Sequence, residues 1–173
     1  MTVPPKLTLE LLPTTASGCT IRPYMVQDGW AVVSRKIAAR AAGQCELCSA
    51  STQRIETHEI WSYGDGYQTL TGLIGLCRAC HEVKHFDVAR QRGEEVAALE
   101  HLCAVNGWNR IEALAHIDAA IKECDERSYR TWSFDATAGE GLMDAPLGAV
   151  VEPFGRKLQA EWEAAEMDAG REL

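Results

Sequence analysis

Apolar and polar residues alternate along the chain with two different periods, and each period predicts a type of element. A period near 3.6 in residues 28–43 predicts a first helix that ends at Gly43. Its apolar face consists of Trp30, Val33, Ile37 and Ala41. Three short segments have alternating or continuously apolar residues, which predicts three strands, in residues 6–13, 54–61 and 69–77. The Gly- and Asp-containing residues 62–68 predict a turn between the last two.

The second half of the sequence predicts three more helices. The first begins near Cys80 and runs to Gly93, and the second covers residues 94–107. Asn109 and Glu112 have the spacing of a capping box, which predicts the start of a long third helix. The apolar faces of the last two helices are Val96, Leu99, Leu102 and Val105, then Ile111, Leu114, Ile117, Ile121 and Cys124. We expect an antiparallel helical hairpin, followed by an edge strand in 128–135 beside the N-terminal strand.

Length and composition favour one compact domain with extensions. The chain has 173 residues, of which 46% are hydrophobic and 24% charged. We divide it into an N-terminal strand and basic helix (1–44), a central module (45–93), a helical hairpin with edge strand (94–135), and an acidic linker with a short helix (136–173). Residues 1–15 have no basic start and no sustained apolar run, so we expect no signal peptide, and no apolar run approaches the ~20 residues of a membrane span. We therefore expect a cytoplasmic protein with no membrane partner.

The net charge of −8 is unevenly distributed. Residues 1–44 carry five Lys/Arg against two Asp/Glu, a net +3, whereas residues 93–173 carry seven against seventeen, a net −10. Nucleic-acid binding depends on basic residues that neutralise phosphates, so this balance weakens a DNA hypothesis without excluding it. The candidate nucleic-acid contacts are Arg35, Lys36 and Arg40 on the first helix, although a solvated charged face is the commoner meaning of such a run.

Four of the seven cysteines form two Cys-x-x-Cys pairs, Cys45 with Cys48 and Cys77 with Cys80, separated by 28 residues. Each pair bends the backbone so that two thiolates point to one centre, and two pairs complete a tetrahedral zinc site. A chain without a secretion signal favours metal over disulfides. The sequence therefore predicts a structural Zn²⁺. Cys103 and Cys124 are predicted to be buried small residues.

Three histidines predict a second ion site. His81 and His85 are four residues apart, so on a helix both rings project from one face. His58 on the preceding strand supplies a third nitrogen, and Glu59 stands beside it. His85 also fits an exposed surface position. The remaining histidines, His101 and His116, are predicted to be solvated.

Residues 45–85 (CELC…ETHEIW…LTGLIGLCRACHEVKH), about a quarter of the chain, resemble the HNH endonucleases of the four-cysteine zinc subclass. The resemblance implies an α+β fold with a ββα-metal module and metal-dependent hydrolysis of DNA phosphodiester bonds. It assigns His58 as the strand ligand and His81 and His85 as helix ligands of a divalent ion, which would be Mg²⁺, Mn²⁺, Ni²⁺ or Zn²⁺.

Two positions depart from the family pattern. Glu59 occupies the position of the histidine that activates water, and Gly72 that of an asparagine that orients it. Glu59 is then either the base or a further ligand, and in the second case His58 could be the base. The alternative function is a degenerate HNH scaffold, an acidic protein-interaction module such as a phage-encoded inhibitor of a nucleic-acid enzyme. Whether the chain is an enzyme, and whether its acidic helices form a homodimer, stays open.

Overall fold

The computed structural model describes residues 4–16, 20–22, 25 and 28–136. These residues form a mixed α+β fold with five α-helices and a three-stranded sheet, which confirms the predicted class. The acidic linker and short helix predicted for the C-terminal segment lie in residues 137–173, outside the described residues.

Helix α1 spans Gly29–Ala41, as predicted. It ends because Ala42 and Gly43 adopt left-handed conformations, with φ of 49° and 76°. Val33 and Ile37 on its buried face pack against the sheet together with Leu70 and Leu73. The helix therefore covers one face of the sheet.

The sheet is built on an antiparallel hairpin of β1 (Glu56–Gly64) and β2 (Tyr67–Leu76). The turn is shorter than the predicted loop: Asp65 and Gly66 alone connect the strands, with φ of 50° and 82°, as a two-residue type I′ hairpin requires. The register skips one residue of β2, so that Ile60 faces Gly72 and Trp61 faces Leu70. This bulge brings Leu70 and Leu73 to the same face, although they are three residues apart.

The third strand, β3 (Ser133–Asp135), pairs in parallel with β2, so the strand order is β1-β2-β3. The edge strand predicted in residues 128–135 is confirmed. The prediction that it lies beside an N-terminal strand is wrong, because its neighbour is β2. Residues 6–13 form no strand and instead lie along the helices. The Glu10 amide donates to the Lys84 carbonyl over 3.0 Å, and the Asn106 side chain bonds the backbone of Lys6 and Leu7. Their alternating apolar residues are buried by helices rather than by a sheet.

The helix predicted from Cys80 to Gly93 is two helices, α2 (Arg78–Lys84) and α3 (Phe86–Gln91). The chain bends between them at His85, whose φ of −103° and ψ of 52° are not helical. This bend brings Phe86 and Ala89 into the core beside Val83. The burial of α3 in the core therefore accounts for the break in what the sequence pattern predicts as one continuous helix.

Helices α4 (Glu95–Asn106) and α5 (Arg110–Ser128) pack on one another, and the predicted capping box opens α5. Their predicted apolar faces are partly wrong, because Val96, Ile111 and Leu114 are 51%, 79% and 41% exposed. Small residues take their place: Ala98 and Ala113 are buried in the core. This rotation of the two faces also leaves His101 and His116 half-buried rather than solvated.

Two apolar clusters stabilise the fold, one between α1 and the sheet and one that joins residues 7–9, the cysteines and helices α2–α5. The hairpin lies between them and contributes Leu73 to the first and Leu76 to the second. In the described part of the chain, no helix combines the length and the apolar character that crossing a membrane needs.

Candidate metal centres

The four cysteines of the two Cys-x-x-Cys pairs meet in one cluster. The first pair lies in the loop after α1, where the Ser49 amide bonds the Cys45 carbonyl over 2.8 Å and Ser49 adopts a φ of 61°. The second pair begins directly after β2, with Cys77 at the N-cap position of α2. The four sulfur atoms lie within 4.8 Å of one another. The hairpin between the pairs is therefore what brings them together.

The geometry of the sulfurs fits a metal and not a disulfide. The Cys48 and Cys77 Sγ atoms are 3.8 Å apart, far from the ~2.05 Å of a disulfide bond. Four sulfurs at roughly 2.3 Å from a tetrahedral zinc lie about 3.8 Å from each other. All six cysteines in the described residues are free thiols. The four clustered cysteines can therefore hold a metal such as zinc.

The electrostatics of the cluster favour a bound cation. Burial opposes ionisation of Cys45, but the backbone N–H groups of Cys48, Cys77 and Leu47 lower its pKa to about 7. Burial, together with the negative charge of Cys45, raises the pKa of Cys77 and Cys80. Four thiolates are stable at this site only when a cation neutralises them, because a coordinated thiol loses its proton.

His101 on α4 contacts the cysteine cluster. Its Nε2 atom lies 3.2 Å from the Cys80 sulfur, within hydrogen-bond distance. Burial lowers the pKa of His101, so the ring is neutral at pH 7 and offers one N–H donor. The prediction of a solvated His101 is thus wrong, and the ring is placed to support a ligand of the metal.

The second cluster consists of His58, His81 and His85, as the sequence predicts. His58 lies on β1, His81 in the last turn of α2, and His85 at the bend after that helix. Their ring centroids are 4.8 to 5.4 Å apart, and one nitrogen of each lies within 4.8 Å of the others. Burial and the neighbouring histidines lower the pKa of His81 and that of His85, the latter to about 4. Both rings are therefore neutral at pH 7, the form that binds metal.

Two of the three histidine rings, those of His81 and His58, are each oriented by a carboxylate. Glu56 Oε2 lies 2.7 Å from His81 Nδ1, and Glu10 Oε2 lies 2.9 Å from His58 Nε2. Each carboxylate occupies one ring nitrogen and leaves the other for an ion, which is the usual arrangement around metal-binding histidines. Lys84 bonds the second oxygen of Glu10 over 2.6 Å. Burial raises the pKa of Glu10, but the contacts with His58 and Lys84 outweigh it and keep the carboxyl ionised.

A cleft of about 290 Å³ opens over the three histidines along β1. Since β1 is at the edge of the sheet, the cleft is lined from both faces of the strand: His58 comes from the face toward α2, and Glu59 and Trp61 from the face toward α1. The Ile21 amide donates to Glu59 over 3.3 Å, and burial raises the pKa of Glu59. The Glu59 carboxylate is not part of the three-nitrogen cluster.

Arg22 and Trp30 also line this histidine cleft. The Arg22 guanidinium lies 4.2 Å from the centre of the Trp30 ring, so its position is held by a cation–π contact. A second cleft of about 440 Å³ shares His81 with the first and is lined by three arginines, Arg54, Arg78 and Arg92. We call it the arginine cleft.

The residues predicted to contact nucleic acid lie elsewhere. Arg35 and Lys36 are exposed on α1 and are not among the residues that line either cleft. Arg40 makes two 2.6 Å bonds to the Glu46 carboxylate and a third bond to the Leu73 carbonyl. Its donors therefore fix the cysteine loop against the hairpin.

Glu10, Arg22, Glu56 and His101 escape the sequence prediction for different reasons. Glu56 has a usable signal, because residues two apart on a strand share a face and Glu56 precedes His58 by two. His101 has a weaker one, since it neighbours the buried Leu102 on α4. Glu10 has no sequence signal, because its partner His58 is 48 residues away in the chain. Arg22 has none, because it lies in a segment outside the α-helices and strands.

Comparison of the chain with models of protein families, with curated proteins and with solved structures found no match. The two clusters and their clefts are therefore the basis for any functional assignment.

Proposed function

We propose that this protein is an HNH-type endonuclease that hydrolyses DNA phosphodiester bonds with a divalent ion at His58, His81 and His85. The observation that carries the proposal is the convergence of these three rings from a hairpin strand and the following helix. With an ion bound between them, β1, β2 and α2 would correspond to the ββα-metal arrangement that the sequence resemblance implies. The cysteine cluster, with Zn²⁺, would hold the helix against the hairpin.

The histidine site suits phosphate hydrolysis chemically. A divalent ion held by the three imidazoles supplies a Lewis acid for the phosphate and for the leaving oxygen. Glu59 acts as the general base: it takes a proton from water as the water oxygen bonds to phosphorus and the P–O bond to the leaving sugar breaks. Its position on the opposite face from His58 favours this role over that of a fourth ligand. Its raised pKa makes it a stronger base than an exposed glutamate.

The charges around the cleft suit a nucleic-acid backbone. Among the described residues that line the histidine cleft, Arg22 is the cationic one, and the arginine cleft adds three more arginines beside His81. Guanidinium groups bind phosphate oxygens through paired donors, so these arginines replace Arg35, Lys36 and Arg40 as the proposed DNA contacts.

One observation favours the alternative, an acidic interaction module that has lost the reaction. Two of the arginines are already paired, Arg78 with Glu82 and Glu94, and Arg54 with Glu56. Neighbouring carboxylates therefore offset part of their positive charge before DNA arrives. Such a module would bind a basic protein, for instance a nucleic-acid enzyme, through its acidic helices.

The test combines metal content with cleavage. Purified protein is assayed for zinc per chain and incubated with plasmid and single-stranded DNA in Mg²⁺, Mn²⁺ or Ni²⁺. We expect nicking that His58→Ala reduces to background and that Glu59→Gln slows by about 100-fold or more. His116→Ala, a histidine outside both clefts, is the matched control and should cleave at the wild-type rate. Zinc-loaded wild-type protein that nicks nothing in any metal would overturn the proposal and favour the interaction module.

A further inference from the structure

A third cavity, which we call the aromatic pocket, adjoins the histidine cleft. It has a volume of about 400 Å³ and lies between residues 9–12, the end of β1 and the C-terminal end of α5. Glu10, Leu12 and Trp61 line both the aromatic pocket and the histidine cleft, so the two cavities are neighbours. The pocket is therefore placed to receive part of a molecule bound at the histidines. Its volume is within the roughly 300–1,000 Å³ typical of small-molecule sites.

Three aromatic rings, those of Trp61, Tyr63 and Trp132, form part of the wall of the pocket and are held by neighbouring side chains. Tyr63 and Trp132 meet edge to face with centroids 5.1 Å apart, and the Arg127 guanidinium lies 4.6 Å from the Tyr63 ring centre. The Trp132 indole N–H donates to the Arg127 carbonyl over 2.9 Å, which fixes the ring at the end of α5. Trp61 is held on the other side by Phe134, at 5.3 Å. Preformed aromatic walls favour a flat ring as the ligand.

The polar residues of the pocket indicate which kind of flat ring it would bind. Glu126 and Arg130 are exposed at its border, one an acceptor and the other a donor. A nucleobase presents both kinds of partner, amino donors and carbonyl or ring-nitrogen acceptors, on one edge. Arg127 is already bonded to Glu123 over 2.6 Å. Because Glu123 and Glu126 would repel a phosphate, a base suits this pocket better than the backbone does.

We infer that the aromatic pocket takes one unpaired nucleobase of the DNA strand whose phosphate lies at the three histidines. The inference rests on the proposed function and narrows it: the preferred substrate is single-stranded or locally unpaired DNA. A base stacked inside a duplex cannot enter the pocket without unstacking, which costs a few kcal/mol. A base of single-stranded DNA stacks against Trp61, Tyr63 and Trp132 without this cost. The pocket therefore favours single-stranded over duplex DNA.

Binding without cleavage tests the pocket separately from the reaction. His58→Ala protein, loaded with zinc and free of other divalent ions, is titrated with a labelled 12-nucleotide DNA strand, with its duplex, and with a strand carrying one abasic position. We expect the single strand to bind at least 10-fold more tightly than the duplex. Moving the abasic position along the strand should reveal one position at which affinity falls about 5- to 150-fold, the value of one stacked base.

Variants link this effect to the pocket. Trp132→Leu should weaken single-strand binding and leave duplex binding unchanged, whereas Trp108→Leu, outside the pocket, should change neither. If Trp132→Leu does not fold, Arg130→Ala and Glu126→Gln on the exposed border should still alter the preference among the four bases at the sensitive position. Duplex binding as tight as single-strand binding, or indifference to every abasic position, overturns the inference.

The two proposals fail differently. Plasmid nicking without any single-strand preference would overturn the inference about the pocket and support the nuclease proposal. Single-strand binding that depends on Trp132, in a protein that cuts no DNA, would support the inference about the pocket and overturn the nuclease proposal.

Discussion

At the scale of single residues, the contact between His101 and Cys80 has the clearest consequence. A four-cysteine site carries more negative charge than one Zn²⁺ cancels, so an N–H donor to a sulfur stabilises the thiolate and its bond to the metal. His101 Nε2 is the group placed to donate, 3.2 Å from the Cys80 sulfur.

We predict that His101→Ala loses zinc about 10-fold faster than wild type, as the removal of outer-shell partners typically does. The rate is measured by transfer of zinc to a coloured chelator at pH 7. His101→Gln retains an N–H donor and should recover part of the loss, while His116→Ala serves as the control. Equal rates for wild type and His101→Ala would show that the contact does not support the metal.

A second residue-scale prediction concerns His116 on α5. Its ring packs 5.1 Å from Trp108, and within the described residues its buried Nε2 has no hydrogen-bond partner. Burial, with Lys84 nearby, lowers its pKa below the ordinary 6.5. The unfolded chain therefore takes up a proton at a pH where the folded chain does not, so this contribution to stability is complete above pH 6.5 and declines as pH falls below it.

The measurement is the melting temperature of wild type and His116→Phe at pH 7.5 and pH 5.5. Phenylalanine keeps the ring against Trp108 but cannot be protonated. We expect the wild type to lose more stability than His116→Phe between the two pH values, although acid weakens the metal sites of both equally. A parallel decline of the two proteins would contradict the prediction.

At the scale of elements, two glycines of β2, Gly72 and Gly75, differ in their surroundings. A Cβ on Gly75 would lie 2.9 Å from Ile55 Cγ2 and 3.1 to 3.2 Å from atoms of Ala41 and Ile37. A Cβ on Gly72 would meet only the end of the Ile60 side chain, at 3.3 Å. A side chain at Gly75 would thus collide with α1, whereas one at Gly72 would not.

We predict that Gly75→Ala destabilises the fold by about 1–3 kcal/mol through overpacking. Gly72→Ala, on the same strand, should change stability by less than about 1 kcal/mol, because a flexible side chain can move aside. Urea unfolding of both variants measures the difference. A Gly75→Ala protein as stable as Gly72→Ala would mean that α1 shifts away without cost.

The elements also show what a sequence can predict. Helix α1, the hairpin and the capping box at Asn109 depend on residues close together in the chain, so local patterns predict them. The cysteine and histidine clusters follow from spacing. The failures are at positions decided by distant partners: residues 6–13 have a strand pattern, but Leu7 and Leu9 are buried by helices. Ile111 and Leu114 have a core pattern, but the buried face of α5 is set by Ala113 and Ile117.

At the scale of the whole molecule, the N-terminal segment contacts three of the helical parts of the fold. Residues 6–15 bond Asn106 at the end of α4, Lys84 in α2, Ser128 at the end of α5 and Arg130 just after it. Glu10, in the middle, also orients His58 of the histidine site. The stability of the helical half and the geometry of that site are therefore coupled through Glu10 and Lys84.

This coupling gives the last prediction. Lys84 is only 6% exposed and pairs with Glu10 over 2.6 Å, so Lys84→Met leaves a carboxylate largely out of water without its cation. We expect a loss of about 2–4 kcal/mol in urea unfolding, since breaking a buried pair costs more than the pair itself contributes. Lys122→Met, at an exposed lysine, should change little. The double variant Glu10→Gln/Lys84→Met should lose less than the sum of its two single variants, because removal of both charges leaves neither one uncompensated. Strictly additive losses would show that the segment is held by its apolar residues and backbone bonds, with the ion pair contributing nothing of its own.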